Sequence, residues 1–241
     1  MFLVQKRDSN GKGVGETEVS PWRKVLKTER FSKRNWYNNS MIKAVIFDLW
    51  ETLGTKNIGI SKSLQDRFGI EKTSDFMHLY ETAVQLKNWG SEEDMAKNFL
   101  NEFKIEQSEE NIRYIVDLFR EGIEKATMFI GMKELLLDLK QNYKLGFISN
   151  TTIFESVILD KWGIREIFDV TSFSWQLGIK KPAKEIFDIT LQKLEVWPEE
   201  TVFIDDGENN IKKAQECGLY GIVFKSVDQI RSELKKLDIK I

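Results

Sequence analysis

The hydrophobic pattern changes twice along the chain and divides it into three parts. Residues 1–40 show no apolar period and are rich in charged and small polar residues, so we expect a disordered N-terminal extension. Short apolar runs alternate with amphipathic segments in residues 41–58 and 126–241. Residues 59–125 contain only segments with helical apolar spacing, which predicts an inserted all-helical domain. These segments cover residues 61–68, 74–88, 91–103 and 108–125.

The alternation in the two flanking parts predicts a parallel β-sheet covered by helices on both faces. Strands are predicted at residues 43–47, 144–148, 168–173, 201–204 and 220–224. Helices are predicted at residues 131–141, 152–162, 183–194, 208–217 and 227–237. Strands that alternate with helices of this length are typical of right-handed βαβ units. We therefore predict a Rossmann-like α/β core. Ser91 and Ser108, each followed by acidic residues, are predicted to cap helices in the insertion.

Composition narrows the possible chemistry. Cys217 is the only cysteine and His78 the only histidine, which excludes an internal disulfide and a zinc site built from several Cys or His. No run of about 18 apolar residues occurs, so no membrane-spanning helix is predicted. The net charge of −2 gives no case for a nucleic-acid partner. Catalysis would have to rest on carboxylates, hydroxyls, lysines and a hard metal ion.

The N-terminal extension bears on localisation. Residues 1–40 are basic but lack the apolar core of a secretory signal, and their acidic residues fit a transit peptide poorly. We therefore expect a cytoplasmic protein. Two interpretations of the extension stay open. In the first it is a basic arm that contacts an acidic surface. In the second it has no function of its own, as a dispensable leader or as upstream sequence translated ahead of a true start at Met41.

Reactive side chains stand where the predicted strands end. They are Asp48 after the first strand, Ser149 and Asn150 after the second, Lys181 after the third, and Asp205 and Asp206 after the fourth. The carboxyl ends of parallel strands share one edge of a sheet, so we expect these side chains to meet. Three carboxylates at one place repel one another and require a cation. Mg²⁺ is the natural candidate, and a nucleophile beside a metal and a lysine suits phosphoryl transfer.

Four segments resemble the motifs of the haloacid dehalogenase superfamily of hydrolases. They are KAVIFDLWETL (43–53), GFISN (146–150), GIKKPAKEIF (178–187) and VFIDDGENNIKKA (202–214). The segments follow the order of the family motifs, and the helical insertion is similar to a cap domain placed after the first motif. The resemblance spans residues 41–225. It implies a Mg²⁺-dependent phosphatase that acts on a small phosphorylated molecule, without a nucleic-acid or membrane partner.

The resemblance also implies a role for each matched residue. Asp48 matches the nucleophile that forms a covalent aspartyl intermediate. Ser149 matches the hydroxyl that holds a substrate oxygen, and Asn150 beside it is expected to contact substrate or to support the site. Lys181, rather than the adjacent Lys180, matches the lysine that neutralises the nucleophile and the transferred group, because it precedes the family's proline.

The remaining matched residues concern the metal and its surroundings. Asp206 matches the metal-binding acid, and Asp205 is expected to bind the metal through water or to orient Lys181. With Asp48 and the backbone carbonyl of Trp50 they form the implied ligand set. Asn210 is expected to support the site. Thr52 is expected either to orient Asp48 through a hydrogen bond from its hydroxyl group or to have a simple role in a turn.

Trp50 departs from the phosphatase pattern. In the family's phosphatases the residue two positions after the nucleophile is an acid that protonates the leaving group, and an indole cannot do so. An aromatic residue at this position is found in the dehalogenase branch of the family. Glu51 is the only nearby carboxyl group that could substitute, and it stands one residue further on.

Two alternatives to the phosphatase therefore stay open. The first is a 2-haloacid dehalogenase-like enzyme, which attacks carbon without a metal and uses a cap arginine to receive halide. The predicted cap offers Arg67, Arg113 and Arg120, and none of them matches the family position. The second is a catalytically weakened member of the family that binds a phosphorylated ligand or a protein.

Overall fold

The computed structural model describes residues 41–71, 73 and 75–241, together with two short backbone segments nearer the N-terminus. Those segments are strands β1 (Lys6–Arg7) and β2 (Gly13–Val14), which pair in antiparallel fashion. The rest of the predicted N-terminal extension lies outside the described residues.

A five-stranded parallel sheet forms the centre of residues 39–241. In chain order the strands that follow are β3 (Ala44–Phe47), β4 (Gly54–Thr55), β5 (Thr127–Met128), β6 (Lys144–Ser149), β7 (Val170–Phe173), β8 (Thr201–Asp205) and β9 (Tyr220–Val223). The spatial order in the sheet is β7-β6-β3-β8-β9. Phe47 is level with Phe147 on one side and with Ile204 on the other. This register brings the carboxyl ends of the three central strands to one edge.

Four helices lie between β4 and β5. They are α1 (Ile60–Phe68), α2 (Phe76–Gln85), α3 (Glu92–Glu102) and α4 (Glu109–Lys125). Their apolar faces pack around a cluster of their own, which includes Leu64, Tyr80, Phe99 and Phe119. The predicted caps are confirmed, since the Ser91 hydroxyl accepts from the amide of residue 94 and the Ser108 hydroxyl from that of residue 111.

The remaining helices cover both faces of the parallel sheet. They are α5 (Met132–Lys140), α6 (Ile158–Lys161), α7 (Ser174–Leu177), α8 (Lys184–Leu194), α9 (Glu208–Glu216) and α10 (Val227–Lys236). Helices α5, α6 and α10 pack with Phe47 and Phe147 in one apolar cluster, whereas α8 and α9 pack with Ile46 and Phe203 in another. The predicted Rossmann-like α/β fold is confirmed. None of the helices in the described part of the chain is long and apolar enough to cross a membrane.

One predicted helix, residues 152–162, is interrupted. A 3₁₀ turn at Glu155–Val157 precedes the four residues of α6. The buried Glu155 carboxylate accepts hydrogen bonds from the Thr152 amide and hydroxyl at 3.1 and 3.0 Å. Side-chain bonding of this kind competes with regular helical bonding, which explains the late start of the helix.

The pair β4–β5 closes the base of the helical insertion, and the sequence pattern did not reveal it. Gly54 stands opposite Met128, and a β-carbon at Gly54 would lie 2.3 Å from the Thr127 carbonyl oxygen. The Asn57 side chain adds bonds to the Lys125 carbonyl at 2.8 Å and to the Thr127 hydroxyl at 2.9 Å. The two chain segments that connect the parallel sheet to helices α1–α4 are thereby held side by side.

The close approach at Gly54 predicts that Gly54→Ala destabilises the chain. The added methyl group meets fixed backbone, so we expect the free energy of unfolding to fall by about 2 kcal/mol in urea titrations. Gly90→Ala is the matched control, because its β-carbon would meet only a side-chain oxygen at 3.6 Å. Equal stability of the two variants would contradict the tight contact.

Candidate active site

The site is built around a buried amine at the carboxyl edge of the sheet. Asp48 follows β3 directly, and its backbone N–H donates to the Ile204 carbonyl at 2.9 Å. The Lys181 ammonium donates to the Asp48 carboxylate and, at 2.6 Å, to Asp205. Lys181 and Asp205 are buried, and Asp48 is only 6% exposed. Three segments far apart in the sequence thus meet in one ion-paired group.

Asp205 and Asp206 stand side by side but differ in surroundings. One oxygen of Asp205 accepts from the Gly207 amide at 2.8 Å and from the Asn210 side chain at 2.9 Å, while its other oxygen accepts from Lys181. Asp206 is exposed. One carboxylate oxygen from each of Asp48, Asp205 and Asp206 lies within 4.8 Å of the others. This all-oxygen set matches the ligand preference of a hard divalent cation such as Mg²⁺.

Asn150 binds the backbone that carries the amine. Its side-chain oxygen accepts from the Lys181 amide at 2.8 Å, and its side-chain nitrogen donates to the Lys181 carbonyl at 3.1 Å. Of the two roles expected for Asn150, this geometry favours support of the site over contact with substrate. The neighbouring Lys180 points elsewhere, since it bonds to Glu81 and to the His78 carbonyl on α2, each at 2.9 Å.

Two buried hydroxyl groups near Asp48 have no hydrogen-bond partner within the described residues. They belong to Ser149, at the end of β6, and to Thr52. Of the two roles expected for Thr52, the hydrogen bond to Asp48 is wrong because that bond is not formed. The turn that carries Thr52 is set instead by backbone bonds from residues 52–54 to the Leu49 carbonyl. An unsatisfied buried polar group costs about 1–3 kcal/mol, so such groups in native proteins usually have a partner, which can be an ordered water.

A family model described as a haloacid dehalogenase-like hydrolase matches residues 42–218. The chain belongs to this family of hydrolases.

Individual relatives agree with this assignment. The chain is 28% identical over 151 residues to flavin mononucleotide hydrolase 1 of Arabidopsis thaliana, which covers 62% of this chain and 59% of that protein. It is 33% identical over 96 residues to D-ribitol-5-phosphate phosphatase of Bacteroides thetaiotaomicron, covering 35% and 45% respectively. A haloacid dehalogenase family enzyme of the same bacterium, crystallised as a magnesium complex, shares the fold with a TM-score of 0.58 and 23% identity, covering 77% of this chain and 94% of that one. The matches thus span 59% and 45% of the length of the two curated relatives.

Burial and like charge shape the acid–base properties of this hydrolase site. Burial, reinforced by Asp205, raises the pKa of Asp48 to about 7 against the opposing effect of Lys181. Burial and Asp205 also raise the pKa of Asp206. Burial disfavours the Lys181 ammonium, but Asp205 and Asp48 together outweigh it and raise the pKa of Lys181. One ammonium therefore faces three carboxyl groups, and an additional cation would favour their ionised forms.

Trp50 stands two residues after Asp48, and its indole provides no acid. Its indole N–H donates to the Thr151 hydroxyl at 3.3 Å, and its ring meets Trp162 edge-on at 6.2 Å. The Lys56 ammonium lies 4.4 Å from the centre of the indole ring. Glu51 is exposed and accepts a bond from Thr55 at 2.7 Å, and its substitution for the missing acid stays a prediction. Whether the Trp50 carbonyl faces the acidic group stays a prediction.

A buried ion pair behind Trp50 is the main feature that sequence reasoning missed. Glu155 is fully buried and pairs with Lys56. The Thr151 hydroxyl contacts Glu155 at 3.1 Å as well as the Trp50 indole. An indole only donates and a carboxylate only accepts, so Thr151 must donate to Glu155 and accept from Trp50. The sequence did contain a signal for this pair, since Glu155 is a charged residue within the apolar segment that follows GFISN (146–150).

The Lys56–Glu155 pair predicts a specific pH dependence of stability. Burial opposes the ionised form of Glu155, but Lys56 and the Thr152 hydrogen bonds outweigh it, so its folded-state pKa lies below the ordinary value of 4.5. The stabilisation is complete above pH 4.5 and is lost as the pH falls through the lower, folded-state pKa. We expect Glu155→Gln to lower the free energy of unfolding at neutral pH by about 3 kcal/mol and to flatten the acid limb of the stability curve.

Denaturant titrations across the acid range measure both effects. Glu233→Gln is the matched control, because it breaks a solvent-facing pair with Lys236 and should leave the curve unchanged. If Glu155→Gln and the wild-type chain lost stability in parallel as the pH falls, the assignment of the acid limb to Glu155 would be wrong.

Proposed function

We propose that this chain is a Mg²⁺-dependent phosphatase that acts on a small phosphorylated metabolite through an aspartyl-phosphate on Asp48. The observation that carries the proposal is the bonding of Asp48 to the buried Lys181 ammonium, within reach of the exposed Asp206. The names of two similar proteins, a flavin mononucleotide hydrolase and a D-ribitol-5-phosphate phosphatase, support the reaction class.

The chain's own groups account for the transfer step. A carboxylate oxygen of Asp48 attacks phosphorus, and the bond from phosphorus to the leaving oxygen breaks as the new bond forms. Lys181 offsets the negative charge of the transferred group, and the unpaired Ser149 hydroxyl is available to donate to one of its oxygens. Water then hydrolyses the acyl phosphate, which releases inorganic phosphate and restores Asp48.

The acidic residues divide into two roles under this proposal. Asp48, Asp206 and the Trp50 carbonyl would hold Mg²⁺, which when bound neutralises charge on the acids and on the phosphoryl oxygens. Both oxygens of Asp205 are already occupied by Lys181, Gly207 and Asn210. We therefore assign Asp205 to the orientation of Lys181 rather than to direct metal binding.

We assign α1–α4 to a cap that covers the site during turnover. Lys180, beside the site lysine, bonds to Glu81 on α2, and the Ser174 hydroxyl donates to the Gln85 carbonyl at 2.8 Å. These bonds seat the end of α2 against the segment that follows β7. A cap in this position excludes water from the reacting groups and contributes to the substrate pocket. The free thiol of Cys217 suits the reducing cytoplasm in which we place the activity.

The two alternatives have less support. For a dehalogenase, the cap arginines would have to face the site, yet Arg67 pairs with Glu110 and Arg120 with Glu92 on the surface. Arg113 is also exposed. A metal-free dehalogenase would not require a second carboxylate, that of Asp206, close to Asp48. A binding protein that lacks turnover is motivated by Trp50 alone, and the intact Asp48–Lys181–Asp205 group argues against it.

The metal and the nucleophile provide the first test. We expect EDTA to abolish turnover of p-nitrophenyl phosphate and added Mg²⁺ to restore it. Asp48→Asn should lower the rate by about 10⁴ or more without loss of fold, because it removes the nucleophile. Asp228→Asn, at an exposed position in α10, is the control. Turnover of p-nitrophenyl phosphate that persists in EDTA would contradict the metal dependence of the proposed phosphatase.

The indole at position 50 predicts a preference among leaving groups. Without a general acid, an alkoxide must leave unprotonated, so we expect aryl phosphates to react about 10² times faster than alkyl phosphates, or more. Trp50→Asp should raise turnover of the alkyl ester relative to the aryl ester. Rates for p-nitrophenyl and n-propyl phosphate measure this ratio. Equal rates in the wild-type chain would show that another group supplies the proton.

A further inference from the structure

Two groups of hydrogen bonds join helices α1–α4 to the rest of the chain. The first lies at the β4–β5 pair, where backbone pairing and the Asn57 side chain hold the two connecting segments together. Lys161 on α6 reinforces it, since its ammonium donates to the carbonyls of residues 123 and 124, in the last turn of α4, at 2.8 and 2.9 Å. The second group lies at α2, a helix that the chain does not connect directly to the parallel sheet.

At α2 the bonds come from two side chains of the segment that follows β7. The Lys180 ammonium donates to the Glu81 carboxylate and to the His78 carbonyl, each at 2.9 Å. The Ser174 hydroxyl donates to the Gln85 carbonyl at 2.8 Å. The three acceptors are spaced three and four residues apart in the helix, so they lie along one side of it. That side of α2 is held against the α/β core.

The Lys180–Glu81 pair is more shielded from water than a surface ion pair of the same helices. The side chains of Lys180 and Glu81 are 11% and 24% exposed. The corresponding values for Lys62 and Asp66, which pair on α1, are 69% and 57%. Electrostatic attraction is stronger where water is partly excluded, and exposed pairs contribute little. The Lys180–Glu81 pair therefore contributes more to holding α2 in place than a surface pair would.

The adjacent Lys180 and Lys181 bond to different parts of the molecule. Lys181 bonds through its ammonium to Asp48 and Asp205, and through its backbone N–H and carbonyl to Asn150. None of these partners lies on α2. Rotation of α1–α4 about the β4–β5 pair would therefore break the bonds of Lys180 and leave those of Lys181 intact.

We propose that Lys180 and Glu81 form the docking pair of the cap, an ion pair that holds α2 on the α/β core and breaks when the cap opens. The proposal rests on the proposed function, in which α1–α4 cover the site during turnover. It adds the contact that sets the balance between docked and open molecules. The two residues act on the position of the cap and take no part in the transfer step.

Spin labels measure the position of the cap without any turnover. Lys97→Cys in α3 and Lys212→Cys in α9, both at exposed positions, carry nitroxide labels in a Cys217→Ser chain. Pulsed electron paramagnetic resonance gives the distances between the labels. We expect Glu81→Gln to lower the ratio of docked to open molecules about tenfold, the difference between a charged and a neutral hydrogen bond. Lys180→Met removes both bonds of the ammonium and should lower the ratio further.

Glu92→Gln is the matched control, because Glu92 pairs with Arg120 between α3 and α4, inside the same group of helices. It should leave the distances unchanged. Lys180→Arg retains the positive charge and should keep the cap docked. The same distances in Glu81→Gln, Lys180→Met and the wild-type chain would overturn the proposal, and so would an equal change in Glu92→Gln.

Turnover provides a second measurement. We expect Glu81→Gln to lower kcat/KM for p-nitrophenyl phosphate by about tenfold, because fewer molecules carry a docked cap. The pH dependence of kcat/KM should stay that of the wild-type chain, since the bonds of Lys181 do not involve α2. A shifted pH profile would show that the substitution disturbs Lys181 and would overturn the assignment of the pair to the cap alone.

Failure of the proposed function would have a different signature. If the wild-type chain does not turn over p-nitrophenyl phosphate, the phosphatase assignment falls. The distances between the labels then decide on the docking pair by themselves, since they require neither substrate nor metal.

Discussion

The buried ammonium of Lys181, held between Asp48 and Asp205, is the interaction on which the site depends. Loss of one partner from a buried ion pair typically costs about 3–5 kcal/mol, because the remaining charge is uncompensated. The amine is also what allows acidic residues to remain at a buried strand end. The chain segments that carry these groups must therefore lie close together in the folded protein, and the parallel sheet places them at one edge.

The side chains around this ammonium divide into those that are satisfied and those that are not. Asn150 and Asp205 use their polar atoms on Lys181 and on nearby backbone and Asn210. The Ser149 hydroxyl is buried without a partner in the described residues, and Asp206 is exposed. Under the proposed function, the first group supports the site and the second contacts the substrate and the metal.

The residue at position 50 differs in chemistry from that of the family's phosphatases. Where the family's phosphatases place an acid, this chain places an indole held by Thr151 and covered by Lys56. The Lys56–Glu155 pair lies beside this indole, since Lys56 contacts its ring and Glu155 contacts the same Thr151 hydroxyl. Under the proposed function, the indole offers no proton to the leaving group.

The sequence by itself determined the strands, most of the helices and the membership of the acidic site, because local apolar periodicity and short motifs record these features. It did not reveal the β4–β5 pair, the break before α6 or the Lys56–Glu155 pair, and its expected bond from Thr52 to Asp48 was wrong. Only the tertiary structure decided that the Ser149 and Thr52 hydroxyls have no partner among the described residues. It also decided that Asn150 hydrogen-bonds to the backbone of Lys181. Such contacts join residues far apart in the chain, and their formation depends on packing distances that no local pattern contains.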